Sequence, residues 1–552
     1  MQSQTTLRGL AVAGLFATLA AGPLAAPAVA QSNSIPGTDV ALGILSSFSF
    51  QGRQGAFPTG VNAFAMATTS CNLGTVNVPW LEPMNENHPT IAFLAVREDA
   101  GGTRLRQISD RSFLKHGFFA LSSSQCTPCQ VPSNGTFLGI GCSDTYSVGN
   151  NANNFYLAPA DEVDPWLGAW EATCSFFDAG LTPVPATQCD GQRSFSFAQS
   201  NSLGPVGNRV RVDDRDLIGE PGTRYYYASQ YVVRGEPEAV RTNNIGSREF
   251  NPNWNGSSWS VPTVGALLQG TVLQRWTGAT VSSNTNGTFD GRVYVAVKVS
   301  GPVDGVYHYE YALHNRDSHR GVGEIRLPVC AGADVQNVGF GDLDDDTAND
   351  WSVTVEGGEL VLSGPSNAVR WNTVYNVWFD STAAPTAGAM TLVAADAGAG
   401  PGSFDVATTV PGSAYAVKTG DGCSDTTPAA SLAANGLPSL GNNTFALLSE
   451  GLPAGAPLLL FGSPVAGTTP LGTCTLLLGG NLGTDVLFLG TGAADGTGVG
   501  SIPLPIPNLS AIDGLTYDFQ VIVVSGSGPL FDVAELSDGL RVRFGALLTG
   551  CL

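Results

Sequence analysis

The run Asp342-Leu343-Asp344-Asp345-Asp346-Thr347-Ala348-Asn349-Asp350 holds the chain's densest set of ligating side chains. Carboxylates at every second residue converge on a hard cation when the backbone wraps around it. Asp342, Asp344, Asp346 and Asp350 are therefore expected to hold a structural Ca2+, which would relieve their mutual repulsion. The run is not an EF-hand, because no Gly stands at its sixth position and no Glu at its twelfth. A solvated acidic loop between two strands is the competing reading.

The second group is histidine. His116 stands in Phe113-Leu114-Lys115-His116-Gly117-Phe118, near Cys126, Cys142 and Asp144. If folding brings His88, His116 and Asp144 together, they make an acid–base or metal set. Packing beside aromatic rings is the plainer role for such histidines. His308, Glu310 and His314 share one face of a strand and could ligate a transition metal. A polar outer face opposite a tyrosine core is preferred for them.

Cys126-Thr127-Pro128-Cys129 has no following His for haem attachment, no second pair at zinc-ligand spacing, and no strand–helix context for a redox motif. Bonds from these cysteines to other cysteines are expected instead. Trp166, Trp170, Trp254 and Trp259 could stack on sugar rings if exposed; as packing residues they need no such role. No Gly-x-Ser-x-Gly elbow, His-Glu-x-x-His, phosphate loop or dinucleotide fingerprint occurs.

The compartment decides how these groups are read. Met1–Ala30 has one positive charge at Arg8, an apolar stretch from Leu10 to Ala21, a Gly22-Pro23 break and an Ala28-Val29-Ala30 cleavage signal. That is the pattern of a secretory signal peptide, too short to span a membrane. An exported chain with ten cysteines is expected to form disulfides. Cys71, Cys126, Cys129, Cys142, Cys174 and Cys189 allow fifteen connectivities, while Cys423 and Cys474 make a separate local pair. A net charge of -21 repels a phosphate backbone, so nucleic acid is discounted as a partner.

The elements that must position these residues read as strands. Between residues 31 and 260, Tyr225, Tyr227, Tyr231 and Val233 alternate onto one face of a strand. From 261 to 411 short strands recur with Gly, Asn and Asp between them, and Val306–Leu313 collects Tyr307, Tyr309, Tyr311 and Leu313 on one side. From 412 to 552 charge thins out and Leu, Gly and Pro dominate. Ser501–Pro507 must be an edge or a crossover, because proline removes ladder donors. The fold class is all-β: a disulfide-rich, mostly β N-terminal domain followed by two β-sandwich domains.

Several motifs carry a resemblance. They are Gly420–Cys423, Leu437–Asn442, Gly455–Leu460, Cys474 and Pro503–Pro507, with Lys115–Phe118, Gly141–Tyr146 and Tyr307–Ala312 upstream. The region from about 413 to 544 resembles the Gly/Leu-rich C-terminal β-domain of exported proteins of planctomycete-type bacteria. The resemblance implies export and β architecture and no activity. Cys330 and Cys551 lie outside its patterns.

The expected function is that of a secreted or cell-surface, non-catalytic structural or binding protein. Its partner would be an extracellular matrix component or a surface polysaccharide or protein, and nothing after the signal spans a membrane. Two alternatives stand beside it. One is an extracellular carbohydrate-active or metal-assisted hydrolase with its site near His116 and Asp144; the other is a pure carbohydrate-binding protein.

Overall fold

The computed structural model describes residues 34–545 except 182–184, 304–305, 330–334, 357–358, 382–384, 412–413, 426–428, 437 and 513–514. The signal-peptide reading of Met1–Ala30 and both Cys330 and Cys551 lie outside the described residues. What is described is almost entirely β, its longest α-helix being Phe197–Ser202.

Two larger sheets build the N-terminal part, beside short two-stranded ones. In one, Val61–Asn72 pairs with Val40–Gln54 along its length, with Val210–Asp213 at its start and with Ser143–Tyr146 at its end. In the other the order is Thr263–Gln269, Ile245–Phe250, Arg224–Val232, Thr90–Glu98 and Leu105–Gln107. They share a core of Phe48, Phe64, Met66, Phe93 and Phe250, together with Tyr225, Tyr227, Tyr231 and Val233 from the alternating strand. Phe48 stacks on Phe64 at 4.7 Å and on Tyr227 at 5.0 Å. The opposite face of that strand is buried as well, through Tyr226 and Ala228.

Two five-stranded antiparallel sheets follow. One runs Thr280–Thr285, Arg292–Val303, Val306–Asn315, Thr373–Ser381, Val335–Gly341; the other runs Ser352–Glu356, Glu359–Ser363, Val322–Pro328, Pro385–Ala394, Ser403–Pro411. Strict alternation sends Val293, Val295 and Val297 from one strand and Tyr309, Tyr311 and Leu313 from the next into a common core with Ile325, Leu360 and Leu392. A six-stranded and a three-stranded sheet close the chain around a third core containing Leu447, Leu458 and Val521. Gly500–Pro503, which ends in a proline, is an edge strand there.

Among the described residues, four disulfides link Cys71–Cys126, Cys129–Cys142, Cys174–Cys189 and Cys423–Cys474. The two cysteines of Cys126-Thr127-Pro128-Cys129 thus take different partners. In the loop-entropy account, the 55-residue separation of Cys71 and Cys126 is worth about 4 kcal/mol.

The N-terminal and central sheets are packed against each other. Leu94, Val96, Tyr226 and Trp276 from the first meet Tyr294, Ala296, Ala312 and Val374 from the second. The face bearing Glu310 and His314 is therefore not the outer polar face expected from the pattern. Glu310 is buried against Arg104, with bonds of 2.5 and 2.8 Å. His314 is fully buried beside Thr271, 2.8 Å away. His308 stays at the rim, where Glu310 first and then Asp380 hold its imidazole above the ordinary histidine range.

A chain of alternating charge crosses the same junction. Arg292 donates to Glu238 at 2.6 Å, Arg316 to Glu238 at 3.2 Å and to Asp317 at 3.0 Å, and Arg241 to Asp317 at 3.0 Å. The Arg316 side chain is 0% exposed. Burial works against the charge of Asp317, but Arg316 and Arg241 outweigh it and keep the carboxyl below the usual range.

Two outcomes are expected. Asp317→Asn leaves the buried Arg241 without its carboxylate and Arg316 with Glu238 alone, and should lower stability by about 3–5 kcal/mol; urea unfolding unchanged from the parent chain would refute this role. Non-reducing peptide mapping should return the four pairs above, and any scrambled pair among those eight cysteines contradicts the fold.

Candidate functional site

His88 and His116 meet because Lys115–His116 pairs with Thr90–Ile91. The register sets His116 opposite Thr90, two residues beyond His88. Gly117 N donates to Pro89 O at 2.8 Å, and a Cβ at Gly117 would lie 3.1 Å from that carbonyl. The close approach is what brings the two imidazoles together: His88 Nε2 and His116 Nδ1 are 2.6 Å apart.

The hydrogen bonds assign the protons. His88 Nδ1 bonds the Leu81 carbonyl, which only accepts, so this nitrogen carries the hydrogen. His88 Nε2 is then an acceptor and His116 Nδ1 donates to it, which leaves the lone pair of His116 on Nε2. Burial lowers the pKa of His88 to about 4, against a smaller raising effect of the Leu81 bond. Burial also lowers His116, with His88, Lys115 and Arg193 adding to the effect. Both rings are neutral at pH 7. His88 is 3% exposed.

Neighbouring groups are cationic or aromatic. Lys115 is buried and donates from Nζ to the carbonyls of Asn153 at 2.7 Å and Tyr156 at 2.5 Å. Burial, then Arg209, push its ammonium well below the ordinary lysine range. The Tyr156 ring lies 4.5 Å from His116, and the Arg193 guanidinium lies 3.2 Å over Phe155 and 4.7 Å over Tyr156. Tyr156 and Arg193 stand in no sequence motif; only the pairing of Thr90–Ile91 with Lys115–His116 reveals the cluster.

Asp144 does not complete a triad. Its Oδ2 accepts from Phe119 N at 2.7 Å and its Oδ1 is buried without a partner. Burial raises its pKa, with the Phe119 and Thr145 amides opposing. It touches the histidine segment through the Phe119 backbone rather than through an imidazole. The chemistry left to this cluster is that of one neutral ring nitrogen, without a carboxylate to relay its proton. Among the described residues, no three His, Cys, Asp or Glu side chains are grouped to hold a metal ion.

In the acidic loop, Asp342, Asp344 and Asp346 each accept from the backbone N–H two residues on, at 3.0, 2.7 and 3.1 Å. Asn367 Nδ2 donates to the other oxygen of Asp342 at 2.5 Å, and Asp345 pairs with Arg215. Asp350 is raised above the ordinary carboxyl range by desolvation and then by repulsion from Asp342, Asp344 and Asp346.

The tryptophans divide. Trp170 and Trp259 are buried, with Nε1 donating to Glu162 at 3.0 Å and to Asp214 at 2.8 Å, so the sugar-stacking expectation is corrected for both. Trp166 is half-buried beneath the Arg241 guanidinium at 4.5 Å. Trp254 is half-buried and stacked on Phe57 at 4.6 Å.

An open cleft of about 400 Å³ lies on the junction between the N-terminal and central sheets. Glu238 and Asn243 come to it from the loop after Arg224–Val232, Gln269 and Gln274 from the end of Thr263–Gln269 and the turn beyond, and Arg292 and Tyr294 from the central sheet. Sequence reading missed it, because its walls are joined only by the packing of two sheets.

No protein-family model matches this chain, and no curated protein matches it. Among solved structures, BcpA, the major pilin subunit of Bacillus cereus, is similar at 11% identity over 62% of this chain and 90% of its own, with a TM-score of 0.16. Escherichia coli alpha-2-macroglobulin activated by porcine elastase is similar at 8% identity over 93% of this chain and 35% of its own, with a TM-score of 0.13. The chain spans about a third of that macroglobulin's length, and scores this low carry no argument about fold or function.

The neutrality of His88 has a measurable sign. Its folded pKa of about 4 lies below the ordinary 6.5, so the folded protein binds fewer protons in that window. Its contribution is present above pH 6.5 and is lost as pH falls toward 4, by roughly 3 kcal/mol. The stability difference between the parent and His88→Gln, from urea unfolding, should shrink between pH 7 and pH 4.5. Parallel pH curves would show that His88 is not held neutral.

Proposed function

We propose that this chain is a non-catalytic structural or binding protein that works outside the cytosol. One observation carries the reading: the histidine pair, the sequence's best candidate for catalysis, is committed to packing. His88 has one nitrogen on a backbone carbonyl and the other on His116, and Asp144 is spent on the Phe119 amide. A general base needs hydrogen-bond reach to a substrate proton; only Nε2 of the half-buried His116 keeps a lone pair, and it stands beside the cationic Lys115 and Arg193 with no carboxylate to relay its proton. Four disulfides fit an oxidising compartment. The leader-like Met1–Ala30 agrees with export.

In this reading the central pair of five-stranded sheets is one β-sandwich and the C-terminal sheets are another, stacked behind a disulfide-rich N-terminal β domain. The C-terminal domain is of the kind found in exported planctomycete-type proteins and serves packing or attachment. The Asp342–Asp350 loop takes a structural Ca2+. The bonds made by Asp342, Asp344 and Asp346 to their own backbone wind the loop and keep the carboxylates on a short path. The repulsion felt by Asp350 is what a divalent cation would cancel. Partners are surface or matrix polysaccharides or proteins.

Incubation of the mature chain with a polysaccharide panel should give retention on at least one polymer and no release of new reducing ends. Release that His116→Ala abolishes would replace this reading with the hydrolase. For the loop, millimolar Ca2+ should raise the thermal midpoint, and Asp344→Asn with Asp346→Asn should remove the rise. A midpoint indifferent to both Ca2+ and chelator would dispose of the calcium site.

A further inference from the structure

We infer that the junction cleft is a binding site for one or two units of an uncharged carbohydrate. The assignment rests on the binding reading above and names its ligand class. The volume of about 400 Å³ falls within the range of small-molecule sites, roughly 300–1,000 Å³.

The charges in the cleft are already matched. Arg292 donates to Glu238 at 2.6 Å and to Ser283 at 2.9 Å, and Arg316 backs Glu238 from the buried side. A charged ligand would have to break this chain of pairs, so neither an anion nor a cation suits the site. What remains unspent is neutral and polar. Asn243 Nδ2 donates to Asp39 Oδ1 at 2.9 Å, an acceptor only, which fixes the amide orientation. Its Oδ1 is buried and has no partner.

Among the described residues, the Tyr294 phenol and the Gln274 amide also have no hydrogen-bond partner. Tyr294 and Gln274 thus offer the cleft a hydroxyl and an amide that each donate and accept, whereas the Asn243 oxygen is closed to solvent. Adjacent sugar hydroxyls present the same mixture. The wall is rigid where it matters: Tyr294 is buried and stacked on His314 at 6.3 Å, and His314 is held by Thr271 at 2.8 Å. A fixed aromatic with unspent polar atoms lowers the ordering cost of binding.

The test titrates the full mature chain by calorimetry with cellobiose, N,N′-diacetylchitobiose and maltose. Glucuronate and glucosamine serve as charged controls, and cleavage products are assayed in the same samples. Saturable binding of at least one neutral disaccharide is expected. Gln274→Ala and Tyr294→Phe should each weaken it about fivefold or more, with thermal midpoints unchanged. Absence of saturable binding to all three disaccharides, binding confined to a charged control, or an affinity that neither variant moves would overturn the assignment. Cleavage products with binding intact would instead overturn the non-catalytic reading and leave the cleft in place.

Discussion

Arg316 sits where the N-terminal and central sheets meet, and its guanidinium has no access to water. An ion so placed costs several kcal/mol of hydration unless carboxylates surround it. Glu238 and Asp317 meet that demand from either side, and each is held in turn by a further arginine, Arg292 or Arg241. Burial of Leu94, Tyr226, Trp276, Ala312 and Val374 around the network dries it and strengthens each pair. The register of the two parts follows from this constraint, because a sliding displacement would leave a charge alone in an apolar medium.

The junction also explains features that look unrelated along the chain. Asn372 donates to Phe93 O at 3.0 Å, Gln107 accepts from Val374 N at 2.8 Å, and Asn376 donates to Leu105 O at 3.0 Å. Trp371 reaches across to bond Ala160 O at 2.9 Å and packs with Phe177 and Trp170. These bonds satisfy backbone groups at an edge that would otherwise be open to pairing. The cleft lies at the same junction, with the Arg292–Glu238 pair in its wall.

The histidine pair illustrates the other use of burial. A ring shielded from water is cheap to keep neutral and expensive to charge. With Lys115 and Arg193 nearby, charging either imidazole would add a cation among cations. A polar cluster of this composition specifies the local fold through directional bonds to Leu81, Asn153 and Tyr156 carbonyls.

Much of the strand content was legible because alternation is a local property. Tyr225, Tyr227 and Tyr231 fall on one face for the same steric reason in any sheet. The prolines at 503, 505 and 507 exclude a central ladder position whatever surrounds them. The pairing of Cys423 with Cys474 was likewise legible as a local pair set apart from the other cysteines. Whether a face meets water or another sheet is a different matter. Glu310 and His314 read as an outer face, and Trp170 and Trp259 as available rings, because periodicity records sidedness and not what lies opposite. Only tertiary packing placed Arg104 against Glu310, His88 against His116 and Asn243 in one cleft with Tyr294, since those groups are brought together by long-range contacts that no spacing encodes.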